Sequence, residues 1–162
     1  MKINTAVKIL NNYGGGKIIL SIIYNVTADI LCKQLNIQKP ELYFYENNVT
    51  GGQYSPKNKW VALNVKSADA LLEADNLMDC NYGFLRTVDL VAHELRHAWQ
   101  DNNNMIDINN YTSIEKDYKK YMNDPIEVDA REYACKVSRQ IVGEVMSMFA
   151  NFADIAWEEM NL

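Results

Sequence analysis

The two histidines of this 162-residue chain stand four positions apart, in His93-Glu94-Leu95-Arg96-His97. Around them, apolar residues recur about one helical turn apart at Leu85, Val88, Val91, Leu95 and Trp99, which predicts an amphipathic helix over residues 84–101. Positions i and i+4 share a helical face, so the two imidazoles can grip one ion. Zinc accepts such nitrogen ligands but wants three protein ligands when it is catalytic. The motif therefore constrains the fold, because a distant segment has to pack against this helix and deliver the third ligand. Glu94 sits about a quarter-turn away from His93. It is placed to reach a water at the metal, where a general base is needed, and not to join the same tetrahedron.

No third histidine exists, so the third ligand has to be Asp, Glu or Cys. A third His six residues after the second is the alternative pattern, but Gln100 stands where it wants Gly and Asn103 where it wants His. Glu127 is the expected ligand. It lies at the start of a second predicted helix, with Asp124 at the N-cap and Pro125 in the first helical position. Ala130 and Ala134 share its face and permit a close approach to the histidine helix. Glu132, Asp129, Asp124 and Cys135 are the rival ligands. A role for Glu127 as a capping-box residue or as the i,i+4 partner of Arg131 stays open.

The remaining chain reads as α+β. Gly14-Gly15-Gly16 separates an N-terminal arm, residues 1–16, from a single domain over 17–162. Residues 17–36 have helical apolar spacing, ended by Pro40. Leu42–Tyr45 and Trp60–Val65 read as strands, with turn signals at Gly51-Gly52 and Ser55–Asn58 between them. Together they predict a small antiparallel sheet of about three strands packed against a mainly helical domain. A short helix is expected over 68–78. A capping box at Thr112–Glu115 predicts another helix start. The last helix should run to about residue 158 and bury Ala134, Val137, Ile141, Val145, Met148, Phe152 and Ile155.

Charge and cysteine content narrow the setting. The chain carries 16 Lys and Arg against 21 Asp and Glu, a net charge of −5. Such a balance disfavours phosphate backbones, so no nucleic-acid partner is expected. Cys32, Cys80 and Cys135 are three, an odd number, and widely spaced, which fits reduced thiols in a cytoplasmic protein better than a disulfide framework. The apolar run Ile18–Tyr24 falls short of the roughly 20 residues of a bilayer span, so no membrane association is expected.

His93-Glu94-x-x-His97 followed by Glu127-x-x-Ala130-x-x-Tyr133-Ala134 resembles the minimal gluzincin-type zinc metallopeptidases, most closely the ImmA/IrrE-like and related phage or prophage proteins. The likeness covers residues 40–140. Arg96 stands where zincins usually have an uncharged residue. The resemblance implies a zincin-like fold in which a small sheet precedes the active-site helix. It also implies a zinc held by His93, His97 and Glu127, with Glu94 as the base that takes a proton from water and passes it to the leaving amine. The expected partner is a protein or peptide substrate lying extended along an edge strand, for which Trp60–Val65 is the candidate. Tyr54, Tyr121 and Tyr133 are candidate oxyanion donors. A zinc-bound interaction module without turnover and hydrolysis of a non-peptide amide are the alternative functions.

Overall fold

The computed structural model describes residues 1–107 and 116–161. Its elements are α1 (Ile3–Leu35), β1 (Glu41–Tyr45), β2 (Gly52–Ser55), β3 (Trp60–Asn64), α2 (Asp69–Leu72), α3 (Leu77–Asn102), α4 (Tyr118–Asn123) and α5 (Pro125–Met160), with a 3-10 turn at Val65–Ala68. Three long helices and a three-stranded sheet make an α+β fold. The capping box expected at Thr112–Glu115 lies outside the described residues.

Residues 3–13, expected as part of an arm, form the first turns of α1 and bury Ile3, Ala6, Val7, Ile9 and Leu10. The glycine run marks a break inside this helix. Gly15 adopts φ 70° and ψ −167°, a region open almost only to glycine. Beyond it, Ile19, Leu20, Ile23, Tyr24 and Leu31 continue the core. The helix ends where Asn36 turns left-handed, with the Ile37 N–H returning to the Cys32 carbonyl. The Tyr24 hydroxyl donates to the Pro40 carbonyl at 2.7 Å and thereby ties α1 to the entry of the sheet. Among the described residues, α1 is the one helix long and apolar enough to cross a bilayer, and 56% of its most apolar window is buried inside the protein.

The sheet differs from the expected antiparallel meander. Its order is β1-β3-β2; β3 pairs parallel with β1 and antiparallel with β2. Trp60–Val65 therefore supplies the central strand, not an edge. Burial on both faces explains the swap: Val61, Ala62 and Leu63, with the polar Asn64, are all buried, the pattern of an inner strand. The chain from 46 to 59 is long enough for a parallel return. The Asn64 side chain fixes it by donating to the carbonyls of Asn47 and Thr50 and to Asn47 Oδ1, at 2.8–3.1 Å. These bonds hold residues 47–50 beside β3 while β2 passes to its other edge.

α3 and α5 run antiparallel. Pairs step down one helix and up the other: Phe84 with Phe149 edge-to-face at 4.9 Å, Asp89 with Ser138, and Arg96 with Asp129. The buried stripe of α5 follows expectation through Ala134, Val137, Ile141 and Val145, then departs from it. Phe149, Ala153 and Ala156 are buried, whereas Met148, Phe152 and Ile155 are 39%, 45% and 54% exposed. Both sets have helical spacing. The small alanines suit the side facing the first turns of α1, which reach the end of α5 where Tyr13 donates to Glu159.

The glycines of α1 and α5 make a paired prediction. Gly15 has open space around it, so Gly15→Ala should cost only the backbone penalty, about 1–3 kcal/mol. Gly143 is helical, exposed and equally uncrowded, so Gly143→Ala should stabilise by about 0.5–1 kcal/mol. Urea unfolding of the two variants should move the midpoint in opposite directions.

Candidate metal centre

Asn76 starts α3 by accepting the N–H groups of Met78 and Asp79, and Asp124 starts α5 by accepting that of Ile126. Their antiparallel packing sets the first turn of α5 against the last turns of α3. His93, His97 and Glu127 meet there. The two Nε2 atoms are 3.0 Å apart, and each lies 3.3 Å from a Glu127 carboxylate oxygen. Ligand atoms placed about 2.0–2.1 Å from a common tetrahedral centre stand about 3.3–3.4 Å apart. The three side chains thus fit one divalent ion, and their two nitrogens and carboxylate are a suitable donor set. Glu127 is fully buried and His97 nearly so.

A hydrogen-bonded chain behind His97 orients it. His97 Nδ1 lies 2.8 Å from Gln100 Oε1. Gln100 has no solvent exposure, and its amide nitrogen donates to the Ile126 carbonyl at 2.9 Å and to Asp129 at 2.7 Å. With both amide hydrogens used, the oxygen is the atom left for His97. His97 therefore carries its proton on Nδ1 and keeps the Nε2 lone pair available to an ion. Asp129 is gripped in turn by the Arg96 fork, at 2.8 and 3.0 Å. That pair holds the Asp129 carboxyl below the usual carboxylate range, with Arg96 the main cause. The Arg96 guanidinium packs against Trp99, 3.8 Å from its ring centre, and Tyr133, at 4.8 Å. The charged residue inside the motif is thus engaged by Asp129, Trp99 and Tyr133 and braces the helix that supplies Glu127.

The rival ligands have other places. Asp129 belongs to the chain just described, and Asp124 is the N-cap. Glu132 is exposed, and Cys135 is an exposed wall of the cleft. Arg131 reaches Glu127 at 3.9 Å while donating to the Met122 carbonyl, so the i,i+4 pairing and the ligand position coexist.

Glu94 lies against β2. A Cβ on Gly52 would stand 3.1 Å from its Cγ and Oε1, so glycine is what lets the strand come this close. The Tyr54 N–H donates to its carboxylate, while burial outweighs this and raises its proton affinity. Of the three candidate tyrosines, Tyr54 donates to Asp101 at 2.7 Å and Tyr133 lies under Arg96. Tyr121 alone lines the cleft, where its hydroxyl bonds to Glu127; burial chiefly, with that carboxylate, raises its pKa. The cleft, about 470 Å³, opens over His93 and Glu94 between residues 49–52 and α5. Sequence reasoning missed Gln100 as an orienting group. Its spacing of three from His97 was the available signal.

The metal-free cluster should be sensitive to pH. Burial lowers the proton affinity of His97, but the carboxylates of Glu127 and Glu94 outweigh it and leave its pKa raised. A raised folded value stabilises fully below the unfolded pKa of about 6.5 and is lost as pH rises through the folded value. Glu94 acts in the same direction, since its raised value makes ionisation a penalty in the folded state. With a chelator present, the protein should melt at a higher temperature at pH 6 than at pH 8. The increment from adding a divalent ion should grow from pH 6 to pH 8, because the ligands bind deprotonated. Melting curves that show the reverse order would exclude this account of the cluster. No protein-family model, curated protein or solved structure matches this chain.

Proposed function

We propose that this chain is a zinc-dependent peptidase of the zincin type, with His93, His97 and Glu127 as zinc ligands and Glu94 as general base. The observation that carries the reading is the buried Glu94 carboxylate beside the His93–His97–Glu127 group and outside it. A site that only binds metal has no need of a buried carboxylate beside its ligand group. Two buried thiols, Cys32 and Cys80, with no disulfide among the described residues, support a reducing compartment, the cytoplasm.

Zinc bound there supplies Lewis-acid polarisation of the scissile carbonyl and acidifies water. Glu94 takes the proton of the attacking water as the oxygen adds to the carbonyl carbon. It then delivers that proton to the amine nitrogen as the carbon–nitrogen bond breaks. Tyr121, on the cleft wall, becomes the donor for the developing oxyanion as its hydroxyl turns from Glu127. β2 is an edge strand, and its main-chain groups other than the Tyr54 N–H serve an extended substrate. Arg96, Asp129 and Gln100 hold His97 in the tautomer the site needs.

Zinc content is the first check. Protein purified without chelator should carry one zinc per chain, and His93→Ala or His97→Ala should remove it. Glu127→Ala should weaken zinc far more than Glu132→Ala. Gln100→Leu should cost about 10–100-fold in zinc affinity through lost orientation of His97. Equal retention by the Glu127 and Glu132 variants would remove Glu127 from the ligand set.

Cleavage of a proteome-derived peptide mixture, read by mass spectrometry, tests the base. Glu94→Gln should keep its zinc and fold and lose about 10²–10⁴-fold in turnover or more. Equal cleavage by both proteins would refute the mechanism. Zinc-loaded wild type that cleaves nothing would favour an interaction module.

A further inference from the structure

The cleft extends beyond the metal ligands along α3. Arg86 lies seven residues before His93, 20° short of two full helical turns, so the two share a face about 10.5 Å apart. That distance is the length of about three extended residues. On the facing helix, the Ser138 hydroxyl donates to Asp89 at 3.3 Å, and Arg139 follows it directly. Arg86, Asp89, Ser138 and Arg139 all line the cleft that contains His93 and Glu94. Asp89 is within electrostatic reach of both guanidiniums. Both arginines are exposed, and neither has an ion pair among the described residues.

We propose that Arg86 and Arg139 form a cradle for a substrate carboxylate about three residues from the scissile bond. The inference rests on the hydrolase reading for its register. Charge balance supports it. Away from the His93–His97–Glu127 group and Glu94 beside it, the cleft lining holds two guanidiniums and the single carboxylate of Asp89. That carboxylate is already engaged by Ser138. One positive charge is therefore left over, in a chain of net charge −5 that otherwise repels acidic ligands. Guanidinium forks match carboxylates in geometry as well as in sign. The carboxylate belongs either to an acidic side chain or to a chain terminus; the first gives an internal cleavage site after or before acidic residues, the second trimming near a C-terminus.

The test uses the full chain, zinc-loaded, in the Glu94→Gln background to prevent turnover. The probes are three labelled, acetylated decapeptides: alternating Ala-Glu with an amidated end, alternating Ala-Gln with an amidated end, and alternating Ala-Gln with a free C-terminal carboxylate. Fluorescence anisotropy at low salt should show the Ala-Glu peptide binding at least about tenfold more tightly than the amidated Ala-Gln peptide if the side chain is the source. The same gain confined to the free-terminus peptide would support the cradle and assign the terminus. Arg86→Gln with Arg139→Gln should level all three peptides at unchanged zinc content and with the fold retained by circular dichroism, since both positions are exposed. Equal binding of all three before those changes, or a preference that survives them, overturns the proposal. Zinc content separates the two readings. A zinc-free protein that still prefers the acidic peptide keeps the cradle and sinks the hydrolase; a zinc-loaded one without preference does the opposite.

Discussion

Antiparallel packing of α5 on α3 brings Glu127 to within 3.3 Å of both imidazoles and holds it there without solvent contact. The seam is apolar over much of its length, from Phe84 against Phe149 onward. At the metal end it becomes polar, and there the Arg96–Asp129 fork joins the two helices. A bidentate guanidinium–carboxylate pair is sensitive to angle as well as distance. It fixes how far α5 is rotated about its own axis, and that rotation decides whether Glu127 faces the histidines. Gln100 links the same pair to His97, so one network sets both the carboxylate ligand and the imidazole tautomer.

The site concentrates charge that the fold would not otherwise tolerate. Glu94 and Glu127 are both buried, and carboxylates removed from water strongly prefer a counter-charge or a proton. The raised proton affinity of His97 answers part of that need, and a divalent ion would answer more of it. Stability and metal occupancy are therefore coupled through the same few atoms. The sheet contributes by approach and not by charge: Gly52 lets β2 close over Glu94, and the Asn64 amide holds the preceding loop where it forms the opposite wall of the cleft.

Much of this was legible in the sequence. Helical periodicity placed α3 and α5, the Asp124-Pro125 start of α5 came from capping chemistry, and ligand arithmetic pointed to Glu127. What was not legible depended on tertiary partners. Period-2 alternation cannot tell a parallel neighbour from an antiparallel one, so the Asn64-held return that makes β3 central left no local trace. Along α5, Phe152 and Phe149 fit helical spacing equally well, and only tertiary partners such as Phe84 of α3 decide between them. Arg96 looked like a departure from a motif because its partner, Asp129, lies 33 residues away.

The meeting of α1 with the far end of α5 has a kinetic side. Tyr13 and Glu159 are 146 positions apart, and at about 5–20 residues per second that separation takes on the order of 7–30 s to synthesise. For that interval the first turns of α1 lack the partner that completes their burial. Their apolar face is then available to chaperones, to lipid or to other nascent chains. Closure of such long-range contacts is also entropically slow. The last helix to emerge thus ends the chain's period of greatest exposure to aggregation, and substitutions at Ala153 or Ala156 should act on yield from the cell as strongly as on equilibrium stability.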